Sequence, residues 1–343
     1  EDGKIVLVAK ASAITLYQRS LLLEELIAVK YQFNIDGTYS EEYIATHAGL
    51  LVWMEADIAE GKQYVKGTET YALEGLTKNG NVYTATAKGV AAKNMGDKMY
   101  ARGYIINEAG EYEYTEIIDF NPKTYAELVL GRNEEVYTKL HPLMVAMLNY
   151  GAAAQTYFGY KTDALMNANL TAEQQALVSF NAGQIEGLET DTSKFQFTAD
   201  ITLDKLTHPL VLENNVWLKY KFKLDSAVTN AAELKLVYWS ESQYNAVDVL
   251  TLANASGSSA LEVNGGYYTA VIEGIAAKNM GETYYACVYA KYADGSEHYS
   301  AVDVFSIHYY CNAIISGNYD ANLQALCEWM VAYSAAAKSY FNK

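Results

Sequence analysis

The chain has 343 residues, 51% of them hydrophobic, and 41 acidic against 25 basic side chains give it a formal net charge of −16. The length suits about two domains of roughly 150 residues each, and the hydrophobic content argues against a disordered chain. The acidic balance argues against nucleic acid as a partner, because phosphate binding depends on clustered Lys and Arg. No apolar run reaches the roughly 18 residues that span a bilayer, so we expect no membrane insertion. The sequence begins with Glu rather than Met, which we interpret as a mature or excised fragment.

The first predicted elements along the chain are strands. Every second side chain from Ile27 to Ile35 is large and apolar, which predicts a strand with one buried face over 25–36. Further strand-like runs at 50–55, 82–87 and 99–105 are separated by Gly, Asn and Asp turns. Several short strands at this spacing are typical of an antiparallel sandwich.

Helical spacing follows these strands. Apolar side chains three and four residues apart predict a helix over 134–160, and a short helix is predicted over 171–179. The strand alternation then returns over 216–224, and helical spacing returns over 321–341. The chain therefore runs through strands and then helices twice.

Internal repetition explains this order. The segment Gly89–Gly96 (GVAAKNMG) recurs as Gly274–Gly281 (GIAAKNMG), and Tyr150–Phe158 (YGAAAQTYF) recurs as Tyr333–Phe341 (YSAAAKSYF). We predict an α+β fold built as a tandem repeat of two lobes, each an antiparallel β-sandwich followed by packed α-helices. The predicted lobes are residues 20–160 and 195–343, joined by a linker with a short helix at 161–194.

No motif for catalysis is present. The chain lacks the phosphate-binding glycine loops, the G-x-S-x-G elbow and the H-E-x-x-H zinc pattern. Its three cysteines form no CxxC, and no histidine is spaced for metal ligation with another His or Cys. Glu111 and Glu113 alternate like the solvent face of a strand rather than a glycosidase pair. We expect a non-catalytic protein without metal or cofactor.

The aromatic residues are the unusual part of the composition, with 31 Tyr and 4 Trp but only 9 Phe. Tyrosine favours strands, and it also suits surfaces that contact polar, ring-shaped ligands. Trp217 shares a strand face with three lysines, so a ligand, another domain or cover from the helices must explain it. Trp329 flanks the apolar stripe of the last helix, either as an extended core edge or in a cleft between helices and sandwich.

Trp239 is predicted to lie on the surface. Matching residues 51–53 with 236–238 pairs Trp53 with Tyr238, which favours Trp53 as a core residue and Trp239 as an exposed one. Tyr244, in the loop 240–245, is then a plausible neighbour of Trp239. Our candidate ligand-binding residues are Trp239, Trp217, Trp329, Tyr244 and Tyr238.

Exposed aromatic rings with polar neighbours suit carbohydrate. A pyranose stacks its apolar face on an aromatic ring, and its hydroxyls bond to amides and carboxylates. Two lobes could grip one chain together and gain avidity. A protein partner could use the same tyrosine-rich surface.

The repeated A-K-N-M-G and Y-x-A-A-A-x-x-Y-F segments resemble repeats in surface proteins of gut Firmicutes. More narrowly, the two-lobed tandem resembles a bilobed starch-binding domain of the starch adherence system (amylosome) proteins of gut ruminococci. That resemblance implies non-catalytic binding of starch, amylopectin or long maltooligosaccharides in a groove between lobes. It also implies an extracellular, secreted or cell-surface location, within a larger multi-domain assembly. The alternative is a protein-binding surface adhesin that recognises a host glycoprotein or immunoglobulin.

Overall fold

The computed structural model describes residues 12–58, 63–212 and 216–342, so Lys343, the predicted end of the second lobe, lies outside them. The fold is α+β with antiparallel sheets, as predicted; β10 and β19 pair in parallel. Two compact units divide the chain. The first holds the residues up to Leu22, Ile27–Val90 and Met95–Tyr125; the second holds Leu23–Leu26, Ala91–Asn94 and the chain from Ala126 onward.

The described residues of the first unit form two sheets and the helix α1 (Glu41–His47). One sheet has the order β1-β2-β6-β5, and the other has β4-β3-β7-β8 with β9 also paired to β7. The strands are β1 (Ile14–Leu22), β2 (Ala28–Ile35), β3 (Ala48–Met54), β4 (Tyr71–Glu74), β5 (Thr77–Asn79), β6 (Val82–Lys88), β7 (Met99–Ile106), β8 (Tyr112–Tyr114) and β9 (Ile118–Phe120). The sheets meet where the Phe33 ring lies so close to Gly103 that a Cβ there would approach it to 2.6 Å.

The second unit also contains two sheets. One has the order β10-β19-β18-β14-β15 with β20 paired to β18, and the other has β11-β13-β17-β16 with β12 paired to β13. The strands are β10 (Ala199–Ile201), β11 (Asp204–Thr207), β12 (Leu210–Val211), β13 (Trp217–Lys223), β14 (Glu233–Ser240), β15 (Gly257–Ala260), β16 (Glu262–Asn264), β17 (Tyr267–Ile272), β18 (Tyr284–Lys291), β19 (Glu297–Ser300) and β20 (Asp303–Phe305). His208, between β11 and β12, stacks on Phe305 of β20 at 4.0 Å.

The remaining helices begin with one that contains the boundary between the units. They are α2 (Pro122–Leu130), α3 (Glu135–Thr138), α4 (His141–Phe158), α5 (Ala172–Gln175), α6 (Glu241–Ala246), α7 (Ile307–Ser316) and α8 (Ala321–Phe341). The predicted helix over 134–160 is divided into α3 and α4, because Pro142 lacks an N–H and is tolerated only in a first turn. The prediction over 171–179 shortens to α5, and that over 321–341 is confirmed.

Helices α4 and α8 pack against each other and position the candidate site. The rings of Tyr150 and Tyr333 stack with their centroids 5.5 Å apart, and both side chains are buried. Pro142 near the start of α4 lines a cavity together with Tyr340 near the end of α8, so the two helices run antiparallel. Small buried residues, Ala152, Ala154 and Ala337, allow the close approach expected of the alanine-rich segments.

Candidate functional site

Trp239 lies in the core, so its predicted surface position is wrong. Its side chain is 0% exposed, and Nε1 donates a hydrogen bond to the carbonyl oxygen of Thr251 at 3.2 Å. The Phe195 ring packs edge-on against the indole, with centroids 5.0 Å apart. The chain preceding the sheet covers a strand face that alternation alone assigned to solvent, so Trp239 is not an open stacking platform.

Tyr244 is also buried rather than placed in an exposed loop. It lies on α6, is 4% exposed, and stacks on Tyr285 with centroids 4.5 Å apart. Lys194 fixes it from the other side, since its Nζ lies 4.5 Å from the ring centroid and donates to the Tyr244 carbonyl oxygen at 2.7 Å. The residue therefore fills the same cluster as Trp239.

The predicted match of Trp53 with Tyr238 is wrong by one residue. Trp53 pairs with Tyr100 across β3 and β7, and Trp239 pairs with Tyr285 across β14 and β18. Trp53 is buried, as predicted. Tyr238 is half-buried, and its ring lies directly against Gly257, where a Cβ would clash with the phenol. Its ring therefore covers a glycine of β15.

Trp217 lies on the predicted face of its strand. In β13 the side chains of Leu218, Tyr220 and Phe222 are buried, whereas Trp217 and the lysines that alternate with them are half-buried or exposed. Trp217 faces Val211 of β12 in the strand register. Its role in ligand binding stays a prediction.

Trp329 borders an open cavity of about 340 Å³ in the second unit. The indole is half-buried on α8. The cavity is lined by a second aromatic ring, amides and a carboxylate, including Phe180, Asn149, Asn167, Gln175 and Glu328. Of the two alternatives for Trp329, this arrangement favours a cleft, although the cleft lies between α4, α8 and the segment after α5.

The amides of this cavity are held in place. Asn149 is 5% exposed; its Nδ2 donates to the Val145 carbonyl oxygen at 3.1 Å, and its Oδ1 accepts from Nδ2 of Asn167 at 2.8 Å. The Asn167 side chain is therefore oriented through a buried partner. Gln175, at the end of α5, is exposed at the rim. Fixed polar groups beside an exposed ring are the usual composition of a small-molecule site.

A second cavity of about 380 Å³ adjoins the first, because Val178 and Ser179 line both. Its walls combine apolar residues such as Pro142, Leu143 and Ala332 with the polar side chains of Lys139 and Gln184. Tyr340 lines this cavity near the C-terminal end of α8. Together the cavities form a groove along α8 with Trp329 at one end and Tyr340 at the other.

The segment 175–189 that walls this groove is anchored by a neutral histidine. The Glu186 N–H donates to Nδ1 of His308 at 3.1 Å, and Lys338 Nζ lies 2.6 Å from Oε2 of Glu186. The Glu189 N–H donates to Thr283 Oγ1 at 3.1 Å. The pKa of His308 is lowered to about 4, mainly by burial; Glu186 opposes this shift and Lys338 adds to it.

Apart from Trp329, the groove residues became visible only in the fold. Asn149 left a weak signal, as a polar side chain within an apolar helical stripe. Phe180, Asn167 and Gln175 come from the segment between the predicted lobes, and no periodicity marks them. The sequence also missed α2 and α7, although Pro122 opens α2 and Ser306 caps α7 by accepting from the Tyr309 N–H at 3.0 Å.

The described residues contain no group of three or more His, Cys, Asp or Glu side chains able to hold a metal ion. None of the helices in the described ranges is long and apolar enough to cross a membrane. All three cysteines are buried free thiols.

No family model and no curated protein matches the chain. Among solved structures, a crystal structure of the ICAM-5 D1–D4 ectodomain fragment matches at 8% identity over 84% of this chain. The chain spans about half of that structure, 53%, and the TM-score is 0.17. A TM-score this low supports neither a fold family nor a function.

Proposed function

We propose that this chain binds α-1,4-glucan without catalysis, in the groove bordered by Trp329. The observation that carries the proposal is the half-exposed indole beside a cavity of about 340 Å³ lined by amides. A pyranose presents an apolar face to such a ring and hydroxyls to the surrounding amides. The adjoining cavity of about 380 Å³ lengthens the groove, which suits a chain rather than a single sugar.

The polar groups support a neutral, hydroxylated ligand. Among the described residues that line the two cavities, Glu328 is the one carboxylate and Lys139 is the one cation. A glycosidase of the usual kind needs two flanking carboxyl groups, so this composition favours binding over hydrolysis. The choice of starch, and the extracellular location in a larger cell-surface assembly, come from the resemblance to amylosome proteins.

We further propose that the chain is a tandem repeat of two lobes. Matching strand registers support this: Tyr104 pairs with Tyr114 in the first unit, and Tyr289 pairs with Tyr299 in the second. Matching cation–ring contacts also support it, since Lys93 lies 5.0 Å from the Phe158 ring and Lys278 lies 5.7 Å from the Phe341 ring. Both contacts link an A-K-N-M-G segment to the end of an alanine-rich helix.

Affinity electrophoresis in amylopectin, together with isothermal titration with maltoheptaose, tests the proposed site. We expect Trp329→Ala to weaken binding about tenfold or more and Trp329→Phe to retain part of it, because the smaller ring still stacks. Trp217→Ala is measured in the same experiments for comparison, because the groove favours Trp329 over Trp217 as the residue that stacks on the sugar. Wild-type retardation of Trp329→Ala would place the site elsewhere.

The alternatives give different results in the same experiments. An adhesin would show no retardation in starch and no heat with maltoheptaose or a cyclodextrin, and it would retain a host glycoprotein or an immunoglobulin. A glycan-active enzyme would release reducing sugar from starch. Either result would overturn the proposed function.

A further inference from the structure

Three tyrosines, Tyr157, Tyr309 and Tyr319, are exposed on the helical part of the second unit and are absent from the residues that line the groove. Tyr319, in the loop between α7 and α8, is 53% exposed, and Tyr157 near the end of α4 is 37% exposed.

One edge of the Tyr319 ring lies against the backbone at Gly317. A Cβ added to Gly317 would lie 2.6 Å from Cε2 and 2.8 Å from Cδ2 of the ring, so the glycine makes room for it. Gln324 fixes the loop, because its Nε2 lies 2.9 Å from the Gly317 carbonyl oxygen and 3.2 Å from that of Ile314. Asp320 caps α8, because its Oδ1 accepts from the Asn322 N–H at 2.9 Å and from the Leu323 N–H at 3.2 Å.

The Gln324 contacts cover the last carbonyl oxygens of α7, as the end of a helix requires. A single exposed tyrosine is normal on a protein surface, but here Gly317 makes room for the ring, in a loop whose backbone Gln324 holds. A ring fixed before its ligand arrives loses little conformational entropy on binding. The arrangement is that of a preorganised stacking platform.

The surroundings indicate the class of ligand. The exposed residues between 309 and 320 include no aliphatic side chain larger than alanine. They offer amide, hydroxyl and carboxylate groups, including Asn312, Ser316, Asn318 and Asp320. A protein interface core or a lipid surface requires more apolar area, whereas a sugar needs one ring face and polar neighbours.

We propose that Tyr319 forms a second carbohydrate subsite that stacks one pyranose ring. The ligand class rests on the proposed glucan binding at Trp329, but the platform is a separate set of residues. One polysaccharide that contacts both sites would bind with avidity beyond either site alone.

The test compares Tyr319→Ala, Trp329→Ala and the double variant with the wild-type chain, using maltoheptaose titration and amylopectin gels. We expect Tyr319→Ala to reduce the number of maltoheptaose molecules bound from two to one and to weaken amylopectin binding about three- to tenfold. Tyr17→Ala, which removes a ring 57% exposed on β1, is the matched control and should bind like the wild type. Gly317→Ala displaces the Tyr319 ring without deleting it and should reproduce part of the loss.

The outcomes separate this inference from the proposed function. Wild-type stoichiometry and retardation for both Tyr319→Ala and Gly317→Ala would overturn the second subsite and leave the Trp329 groove standing. Weaker binding by Tyr319→Ala together with unchanged binding by Trp329→Ala would support the second subsite and overturn the proposed binding in the Trp329 groove. No binding of either probe by the wild-type chain, or capture of a protein partner alone, would overturn both. Urea unfolding of each variant shows whether the fold is intact.

Discussion

Trp53 and Trp239 make the same contacts in different sheets. Each indole lies opposite a tyrosine of the neighbouring strand, Tyr100 for Trp53 and Tyr285 for Trp239. Each donates its Nε1–H to a threonine carbonyl oxygen, at 2.8 Å from Thr68 and at 3.2 Å from the corresponding threonine of the second unit. These contacts make the two rings parts of the fold.

We expect Trp239→Ala to destabilise the protein by about 3–5 kcal/mol, because it removes a fully buried ring and leaves a cavity beside Phe195. Trp217→Ala, at a half-buried position, should cost clearly less. Urea unfolding followed by tyrosine and tryptophan fluorescence measures both. An unchanged midpoint of urea unfolding for Trp239→Ala would contradict the burial of this residue.

The sequence placed Trp217 correctly and Trp239 incorrectly for a physical reason. On β13 one face is buried and the other carries lysines, so alternation identifies the faces. On β14, Leu236 and Val237 are consecutive buried residues, because both faces of that strand are covered. A one-residue slip in the internal match then moves a side chain to the opposite face, which is why Tyr238 replaced Trp239 as the partner of Trp53.

The groove was only half predictable. The helical stripe of α8 left Trp329 open between a core edge and a cleft, and the cavity beside it depends on contacts between distant segments. Phe180 and Asn149 are adjacent to it only because the chain after α5 returns across α4 and α8. Periodicity describes single helices and strands, so it does not predict contacts between residues that are distant in the sequence.

Two amides of the Trp329 cavity should behave differently when removed. Gln175→Ala should weaken maltoheptaose binding about fivefold and leave stability unchanged, because the exposed side chain loses about one ligand hydrogen bond. Asn149→Ala should also lower the free energy of unfolding by about 1–3 kcal/mol, since it removes a buried amide and takes from Asn167 its hydrogen-bond acceptor. Titration calorimetry and urea unfolding separate the two effects; equal stability loss in both variants would contradict this assignment.

Gly281 should be intolerant of a side chain. A Cβ there would lie 2.6 Å from Cδ of Glu186 and 2.8 Å from Nδ1 of His308, in the contact that anchors the groove wall. We expect Gly281→Ala to destabilise the protein by about 1–3 kcal/mol through overpacking. Gly187→Ala is the matched control, because a Cβ at Gly187 meets nothing within 4 Å. Differential scanning fluorimetry compares them, and equal melting temperatures would show that the wall is not packed as described.

His308 should make the protein less stable in mild acid. Its imidazole is 1% exposed, and burial lowers its pKa from the ordinary 6.5 to about 4. Between those values the unfolded chain binds a proton that the folded chain does not, so the free energy of unfolding falls as the pH drops through this window. From pH 7.5 to pH 4.5 the loss attributable to this residue is about 2–3 kcal/mol.

The comparison that isolates this effect is His308→Gln, whose amide oxygen can still accept from the Glu186 N–H but does not titrate. Glu186 and Lys338, the charged groups that face the ring, stay in place, so their own contributions largely cancel in the difference. Urea midpoints at pH 7.5, 6.0 and 4.5 should fall more steeply for the wild-type chain than for the variant. Parallel curves would mean that His308 is protonated as readily in the fold as in water, and that the groove wall is held by something other than its neutral Nδ1.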